Sequence, residues 1–553
     1  MTYTIGEYAI GDFPIDLSTP DYFQELLKRP FFDLVYLIEV EPYDATLERT
    51  VTGFGCIGAN PIGEMDFTYT GATQTYYFSD RGYITGASDT PAHTNYIPST
   101  NNPFQFNVGV FNGDFSGRGG SFGAIRILNG DGGLDYLTTL YWTGRSVKVF
   151  AGATDFSREQ FVKVFDGLCN SIEHSEGEII INIQNNDKIL DTEFVQSLYG
   201  GTGGLDGGGD IEGTPKPLLY GECKRITPVL VDAANLIYQI HDGSIEEITA
   251  VYDRGVLLTQ QDGDLADITT ASVPSGKYMT QLSGGYLRLG SSPDGAVTVD
   301  AKGHNSGGYI SKTGQIVSHI LRNKLGLYSL LETQIDQGSF NRLDQSLPYD
   351  VGIYISDKIT AQAIFNSMLT PLCAYWTFTS EGLMSVGFGE EPSDPIIEIN
   401  ENDIIDGELQ CSNVYTPAWR INVGYARNWT SQNEIATGAS DEYRDFAQEE
   451  FRQIILETPA IKTVSASSVE KSFNTLILNQ SDALDLSSKI KTLFGVRRKL
   501  YTVSIKSIYS TLEIGDTITI KVNRFNLDNG QNFLVVGIGR DVETNTVELE
   551  LWG

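Results

Sequence analysis

Short alternating runs of apolar and polar residues, separated by glycine- and asparagine-rich turns, dominate the first third of the chain. Val147 and Val149 alternate with polar neighbours, which is the two-residue period of a half-buried strand. One short helix is predicted near Asp21–Lys28. A turn at Asn185-Asn186-Asp187 closes the region. Strands are predicted at 32–40, 141–150, 162–168 and 179–183.

Three later segments have the apolar spacing of an amphipathic helix. Gly326 and Gly495 follow the first and the third, as expected at a helix C-terminus. Ser356 and Asp357 are candidate N-caps of the second. The predicted helices are 315–325, 358–369 and 481–494.

Between and after these helices the pattern returns to strands. Residues 374–388 predict a β-hairpin, with turns at Asn529-Gly530 and near 543–545 among the last strands. Those last strands are predicted at 501–507, 517–522, 533–538 and 547–551.

The expected fold class is therefore mainly β with some α. It comprises two β-barrel-like domains, a mixed α/β insertion and a small C-terminal β domain. A glycine-rich segment at 200–213 is interpreted as a flexible loop or interdomain connection. The predicted domains are 1–195, β-rich; 196–312, the glycine-rich connection and a second β-rich domain; 313–400, a helix and hairpin; 401–500, mixed with an acidic segment; and 501–553, antiparallel β.

The composition shows an excess of acidic over basic residues. The 553 residues include 71 Asp and Glu against 38 Lys and Arg, a formal charge of −33. Such a chain repels nucleic acid and anionic membranes. Simple solubility explains the charge, and so does a surface that DNA must pass without binding. Neither a secretory signal nor a membrane span of about 18 apolar residues is expected.

The cysteines give no metal or redox motif. They are odd in number, none are close in sequence, and no CxxC or Cys/His ligand spacing occurs. Buried free thiols are expected, and a metal or iron–sulfur centre assembled across the fold stays open. The five are Cys56, Cys169, Cys223, Cys373 and Cys411.

A search for catalytic chemistry yields no site residues. Gly276-Lys277 lacks the Ser or Thr of a phosphate-binding loop, and Ala271 stands where that loop needs glycine. His241-Asp242 could act as an acid–base pair, but a turn histidine is the better interpretation because no nucleophile accompanies it. None of the histidines (His93, His174, His241, His304 and His319) are spaced as metal ligands.

Two further motifs are also interpreted without a function. The loop Asn129–Asp135 lacks the alternating acids and the terminal glutamate of a calcium loop, so a plain turn is favoured. Asn428-Trp429-Thr430 matches a glycosylation sequon, which has no meaning without secretion. No catalytic, cofactor-binding or metal-binding residue is predicted, and the chain is predicted not to be an enzyme.

Several stretches together resemble the tail-tip, or baseplate hub, proteins of long non-contractile-tailed bacteriophages and related gene-transfer particles. The segment WTGRSVKVFAG, nearer the N-terminus, also resembles these proteins. The order of the stretches and the shared ending carry the resemblance more than any one motif. They are LLYGECKRITPVLVD with YQIHDGSIEEITAVYDRGVLL; the helix and hairpin at 360–387; INVGYARNWT with DALDLSSKIKTLFGVRRKLYTVSI; and LEIGDTITIKVNRFNL with NFLVVGIGRDVETNTVELELWG.

The resemblance implies a homotrimeric hub in the virion, synthesised in the bacterial cytoplasm, whose paired β-barrels adapt a sixfold tail tube to threefold symmetry. Its implied partners are the distal tail protein, the tape-measure terminus and a central fibre or spike, with phage DNA passing through and the host envelope reached indirectly. Larger relatives carry a fibre extension, whereas this sequence stops at Trp552-Gly553, so the fibre is expected on another chain. The loop at 200–213 and the acidic segment at 435–450 are candidate partner contacts.

Two other functions stay open at this stage. A receptor- or carbohydrate-binding tip protein would suit the 28 tyrosines, since aromatic rings stack on sugars. A tail-borne cell-wall hydrolase would use paired carboxylates, but 71 acids always provide some pair. Glycan binding would favour the first alternative, and clearing of purified peptidoglycan would favour the second.

Overall fold

The computed structural model describes residues 34–57, 60–100, 102–270, 272–509, 511–541, 544 and 546–553. Strands make up 43% and helices 19%, which confirms the mainly β fold class. The chain divides into unit 1, residues 1–104 and 124–183, and unit 2, residues 105–123 and 184–553. The finer division into five domains stays a prediction. The helix expected at Asp21–Lys28 lies outside the described residues.

Unit 1 is built on the central strand β1, which pairs antiparallel with β4 on one edge and β9 on the other. Val147 and Val149 in β9 are fully buried, which confirms their alternation with polar neighbours. The strand order is β11-β10-β9-β1-β4-β6-β5. In chain order the strands are β1 Leu34–Val40, β2 Tyr43–Ile57, β3 Asn60–Thr73, β4 Tyr76–Ser79, β5 Tyr83–Ile84, β6 Asn95–Pro98, β7 Asn102–Phe111, β8 Phe115–Leu128, β9 Ser146–Ala153, β10 Val162–His174 and β11 Glu178–Gln184, of which β7, β8 and the end of β11 belong in part to unit 2.

Unit 2 begins with two five-stranded sheets, β16-β15-β20-β12-β21 and β13-β14-β19-β18-β17. The second core, as named here, contains Leu219, Ile240, Val251, Leu287 and Val299, contributed by both sheets. These strands are β12 Leu218–Ile226, β13 Val229–Asp232, β14 Ile237–Gln239, β15 Ile245–Asp253, β16 Val256–Leu257, β17 Thr259–Asp264, β18 Lys277–Gln281, β19 Tyr286–Leu289, β20 Val297–His304 and β21 Gly352–Ile355.

The rest of unit 2 forms the larger, first core. One sheet there has the order β25-β29-β32-β31-β7, and a three-stranded sheet has the order β27-β26-β28. The remaining strands are β22 Ala374–Phe378, β23 Met384–Phe388, β24 Ile397–Asn400, β25 Ile404–Tyr415, β26 Ala418–Tyr425, β27 Arg452–Glu457, β28 Val469–Asn474, β29 Arg498–Lys506, β30 Thr517–Lys521, β31 Gln531–Asp541 and β32 Thr546–Trp552. The hairpin β22–β23 and the last four strands confirm the sequence prediction.

All α-helices of the described residues lie in unit 2. Three coincide with predicted ones, and α2, α4 and α5 were not predicted. None of the helices in the described part of the chain combines the length and the apolar content that a bilayer crossing requires. They are α1 Thr313–Asn323, α2 Gln337–Ser346, α3 Ala361–Leu369, α4 Asp441–Ala447, α5 Ala460–Val464 and α6 Gln480–Phe494.

Two predicted helix caps are wrong. Helix α3 is capped by Thr360, whose hydroxyl accepts from the amide of Ala363, whereas Ser356 and Asp357 lie several residues upstream. Helix α1 ends at Asn323 with Lys324 as its C-cap. Gly326, with φ +61°, instead begins a separate 3-10 turn.

The barrel expectation also differs from the structure, because the described strands form several open sheets and no closed barrel. The glycine-rich segment 200–213 is not an extended linker. Leu205 and Ile211 in this segment pack against a small apolar cluster that includes Tyr199 and Ile237.

The antiparallel pairing of β12 with β21 requires a glycine at Gly221. Its φ is +63°, and a Cβ there would lie 1.8 Å from the carbonyl oxygen of Val351. Gly221→Ala is therefore expected to lower the free energy of unfolding by at least about 2 kcal/mol, because the clash is with backbone and the conformation is strained. Chemical denaturation would measure this. The matched control is Gly209→Ala, where a Cβ meets nothing within 4 Å, and an equal loss in both variants would contradict the prediction.

Candidate functional site

The glycine-rich loop at 200–213 is held by its own hydrogen bonds. Asp206 accepts from the Thr202 hydroxyl at 2.8 Å and from the Gly200 amide at 3.2 Å. These two bonds lower the pKa of the Asp206 carboxyl. At the base of the loop, the buried hydroxyl of Tyr199 donates to Gln239 at 2.6 Å. The loop presents a defined surface, and its role as a partner contact stays a prediction.

The acidic segment at 435–450 is folded over the β-rich part of unit 2 rather than free of it. It contains α4, which begins where the Ser440 hydroxyl accepts from the Tyr443 amide. The side chain of Tyr443 is buried and donates to Gln432 at 2.7 Å. Asp441 and Glu442 are exposed on the outer side of α4. The inner face is therefore structural, and only the outer face is left for a partner.

An ion pair lies beneath α4. Arg225 pairs with Asp300, and the two side chains are only 12% and 6% exposed. The Asp300 carboxylate also accepts from the Arg225 amide at 2.7 Å. The guanidinium contacts the rings of Tyr252 and Tyr443 and lies 4.6 Å from each centroid, while the two rings pack on each other at 4.8 Å. This arrangement ties the acidic segment to the strands β12, β15 and β20.

The sequon residue Asn428 also ties the acidic segment to the rest of unit 2, at the C-terminal end of α4. Its side chain is 1% exposed. The amide nitrogen donates to the carbonyl oxygen of Ala447 at 3.0 Å, and Phe446 and Glu449 offer carbonyl oxygens at 3.3 and 3.2 Å. A buried amide that caps a helix C-terminus is a structural feature.

His241 lies in the turn after β14, as predicted, but it is 1% exposed. Its Nδ1 accepts from the backbone amide of Leu219 at 2.9 Å, so Leu219 rather than Asp242 orients the ring. Burial, with neighbouring positive groups, lowers the pKa of His241 to about 3. A base with this pKa is poorly matched to acid–base chemistry near neutral pH.

The structure brings His304 and His319 next to His241, which sequence spacing did not indicate. The ring centroids of His304 and His319 are 4.4 Å apart, and those of His241 and His304 are 5.6 Å apart. Tyr220 packs against all three rings. No signal in the sequence could have found this cluster, because each residue comes from a different element.

The remaining motifs are structural where they are described. In the Asn129–Asp135 loop, the Asn129 amide donates to Asp135 at 2.8 Å and its oxygen accepts from Leu134 at 2.8 Å, which is a turn. Lys277 begins β18 and Tyr278 is buried in it. Among the described residues, no group of three or more His, Cys, Asp or Glu side chains could hold a metal ion.

Three of the cysteines are buried free thiols, as predicted: Cys169, Cys223 and Cys373. Burial raises the pKa of Cys169 and of Cys373 to about 12, so neither is a nucleophile at neutral pH. Cys411 is free but exposed, which corrects the prediction, because it lies on β25 in a stretch of exposed residues. The side chain of Cys56 lies outside the described residues.

One cleft has a volume of about 490 Å³ and lies between β21 and the segment after β26. Tyr354 and Trp429 line it with ring centroids 6.3 Å apart, and the Arg427 guanidinium lies 4.1 Å from the Trp429 ring centroid. Thr227 and Thr430 share a hydroxyl hydrogen bond of 2.7 Å at its edge. Aromatic rings beside hydroxyl and charged groups are the chemistry that binds polar, ring-shaped ligands.

Comparison with known proteins gives remote structural similarity only. No family model and no curated protein matches the chain. Similar solved structures include the tail protein from Neisseria meningitidis MC58 (10% identity, TM-score 0.32, covering 81% of this chain and 91% of that one). Others are the prophage MuSo2 43 kDa tail protein from Shewanella oneidensis (8%, 0.34, 83% and 94%) and a chain of the native gene transfer agent virion (11%, 0.34, 62% and 84%). Since each TM-score lies below 0.5, this likeness decides neither the fold nor the function of this chain.

Proposed function

We propose that this chain is a structural protein of a phage tail and that it forms the baseplate hub at the tail tip. In this proposal three copies form a ring, which joins the tail tube and the distal tail ring to a central fibre. The ring surrounds the tape-measure terminus and the path of the ejected DNA. The chain acts there as a structural component of the virion and not as an enzyme.

The observation that carries the proposal is the packing of the stretches that resemble tail-tip proteins. They are scattered in sequence between 218 and 553, yet most of them contribute to the first core of unit 2, whereas YQIHDGSIEEITAVYDRGVLL contributes to the second. Sequence stretches that build one core are constrained together, so their combined resemblance is more specific than any of them alone. The contributed residues are Leu218 and Tyr220; Ile364 and Trp376; Ile421, Leu486 and Ile490; and Val536 and Trp552.

The polar groups of the candidate motifs have structural partners, which supports a non-enzymatic role. His241 accepts a backbone amide, Asn129 and Asp135 close a turn, and Asn428 caps a helix. The charge of −33 also suits the proposal, because three such chains around a channel would repel DNA electrostatically. Both observations agree with a hub and with other tail positions.

Cryo-electron microscopy of the particle that carries this chain tests the proposal. Three copies around the tail axis, between the tube and the fibre, are the expected result. Density at peripheral fibres would overturn the hub and favour the carbohydrate-binding alternative, for which the Tyr354–Trp429 cleft is the candidate site. Absence of the chain from every particle in the preparation, checked by mass spectrometry, would overturn the tail assignment as well.

A further inference from the structure

Four ring side chains from four elements of unit 2 form the cluster described above, named here the histidine cluster. Tyr220 lies on β12, His241 follows β14, His304 ends β20 and His319 lies in α1. The centroid of the Tyr220 ring is 6.1, 5.6 and 5.5 Å from those of His241, His304 and His319. Tyr220 and His241 are buried, whereas His304 and His319 are partly buried.

The histidine cluster lies where the two cores of unit 2 meet. Helix α1, which carries His319, contributes Ile316 and Ile320 to the first core. Strand β20, which carries His304, contributes Val299 and Ala301 to the second core. On β12, Tyr220 belongs to the first core and its neighbour Leu219 belongs to the second. Loosening the cluster would therefore loosen the contact between α1 and the β-rich part.

The hydrogen bonds of the cluster suit neutral imidazoles. Because Nδ1 of His241 accepts from the Leu219 amide, the proton of the neutral ring is on Nε2. The Nε2 atoms of His304 and His319 and the hydroxyl of Tyr220 are buried and have no hydrogen-bond partner among the described residues. Both nitrogens of a protonated imidazole are donors, so protonation of either ring would bring a buried charge whose Nε2–H has no protein acceptor among the described residues.

The charged groups around the cluster do not compensate for added protons. Lys324, which follows α1, disfavours positive charge on all three imidazoles. The Asp242 carboxylate favours the charged form of Lys324. Burial is the main cause that lowers the pKa of His241, and it also lowers that of His319 to about 4. It lowers the pKa of His304 too, against a hydrogen bond with the Ser306 backbone that raises it. Asn323 is a neutral neighbour of His319.

We propose that the histidine cluster is an acid-sensitive latch: its neutral form holds α1 against the β-rich part, and mild acid opens this junction. Histidines whose pKa is depressed in the closed form bind protons more readily when the junction is open. The stabilisation is complete above the ordinary histidine pKa of 6.5 and is lost as the pH falls below that value, toward the depressed values of about 4 and 3. The opening is local, and it requires only that the rings reach water.

Hydrogen-exchange mass spectrometry of the full chain at pH 7.5 and 5.5, corrected for intrinsic exchange rates, tests the latch. Each histidine that is protonated only in the open form multiplies the opening equilibrium by about tenfold over this interval. We expect protection of α1 and of the β14 and β20 amides to fall by between about tenfold and on the order of a thousandfold. Helix α6, in the same unit and without histidine, is the internal control. Unchanged protection of α1 at pH 5.5 would overturn the proposal.

Variants then assign the effect to the rings. His241→Asn keeps an acceptor for the Leu219 amide but cannot take the proton, and His304→Gln and His319→Gln remove the other two. Each is expected to reduce the acid-driven loss of protection by about tenfold. His174→Gln, at an exposed histidine of unit 1, should change nothing. Full acid sensitivity in the triple variant would contradict the latch.

A measurement on the unaltered chain covers the case in which a variant does not fold. Deuterium exchange at the imidazole C2 position, followed across pH, reports the titration of each histidine separately. We expect the midpoints of His241, His304 and His319 to lie below the ordinary histidine pKa of 6.5. Midpoints at that ordinary value would show that the closed form does not exclude protons, and the proposal would fail.

Discussion

Asp300→Ala is expected to lower the free energy of unfolding of unit 2 by about 3–5 kcal/mol, since it leaves a buried guanidinium without its counter-ion. Arg225 would stay in contact with the rings of Tyr252 and Tyr443, and its backbone amide would also lose the acceptor at 2.7 Å. Four of the five tryptophans lie in unit 2, so urea denaturation followed by tryptophan fluorescence reports mainly on this unit. Because Tyr443 rests on the ion pair, trypsin should also cleave at Arg444 in α4 more rapidly.

The control is an exposed ion pair whose lysine lies on β20, the strand that also carries Asp300. Lys302, two residues from Asp300 on β20, pairs with Glu247 at 3.0 Å, but the two side chains are 34% and 52% exposed. Glu247→Ala is expected to change the free energy of unfolding by no more than about 1 kcal/mol, because water screens an exposed pair. Equal losses in the two variants, or an Asp300→Ala protein with unchanged cleavage at Arg444, would show that the buried pair does not hold the acidic segment.

Trp552→Ala is expected to cost about 3–5 kcal/mol, the effect of removing a large buried ring from a packed core. The Trp552 side chain is fully buried. Its ring centroid lies 5.3 Å from that of Phe115 and 6.5 Å from that of Phe494, and the Arg498 guanidinium lies 4.8 Å from the ring centroid. The hairpin tip that carries Phe115, helix α6 and the last strand would all lose a shared contact.

Far-UV circular dichroism during chemical denaturation measures this loss without depending on the deleted fluorophore. Trp552→Phe should lose less than the alanine variant, because it keeps part of the aromatic packing. Leu327→Ala, at a fully exposed position of the same unit, should stay within about 0.5 kcal/mol of the original protein. A small effect of Trp552→Ala would mean that the surrounding side chains close the cavity.

Local patterning predicted much of the secondary structure. The period of two around Val147 and the apolar face of 481–494 identified β9 and α6, because each pattern follows from one element packing on one core. Helix α4 was missed because its seven residues include charged side chains on an exposed face, and only Tyr443, Phe446 and Ala447 are buried. The cap of α3 was misplaced because several residues before it can accept a hydrogen bond, and only the folded chain selects Thr360.

The candidate sites also divide into features that neighbouring residues define and features that only the fold brings together. The sequence identified the acidic segment and the glycine-rich loop, since these are properties of neighbours along the chain. The sequence could not indicate which residues from distant segments contact each other. Arg225 and Asp300 are 75 residues apart, and Tyr354 and Trp429 come from separate segments on either side of one cleft.

By itself the sequence determined a mainly β, acidic chain with three of its helices, because hydrophobic period and charge are local quantities that each element carries with it. The tertiary structure decided the two units, the buried Arg225–Asp300 pair and the meeting of three histidines at the junction of two cores. These features depend on sheet order and on helix packing across long stretches of chain. Burial then changes what the same side chains do, since an imidazole that is ordinary in water becomes resistant to protonation in the interior.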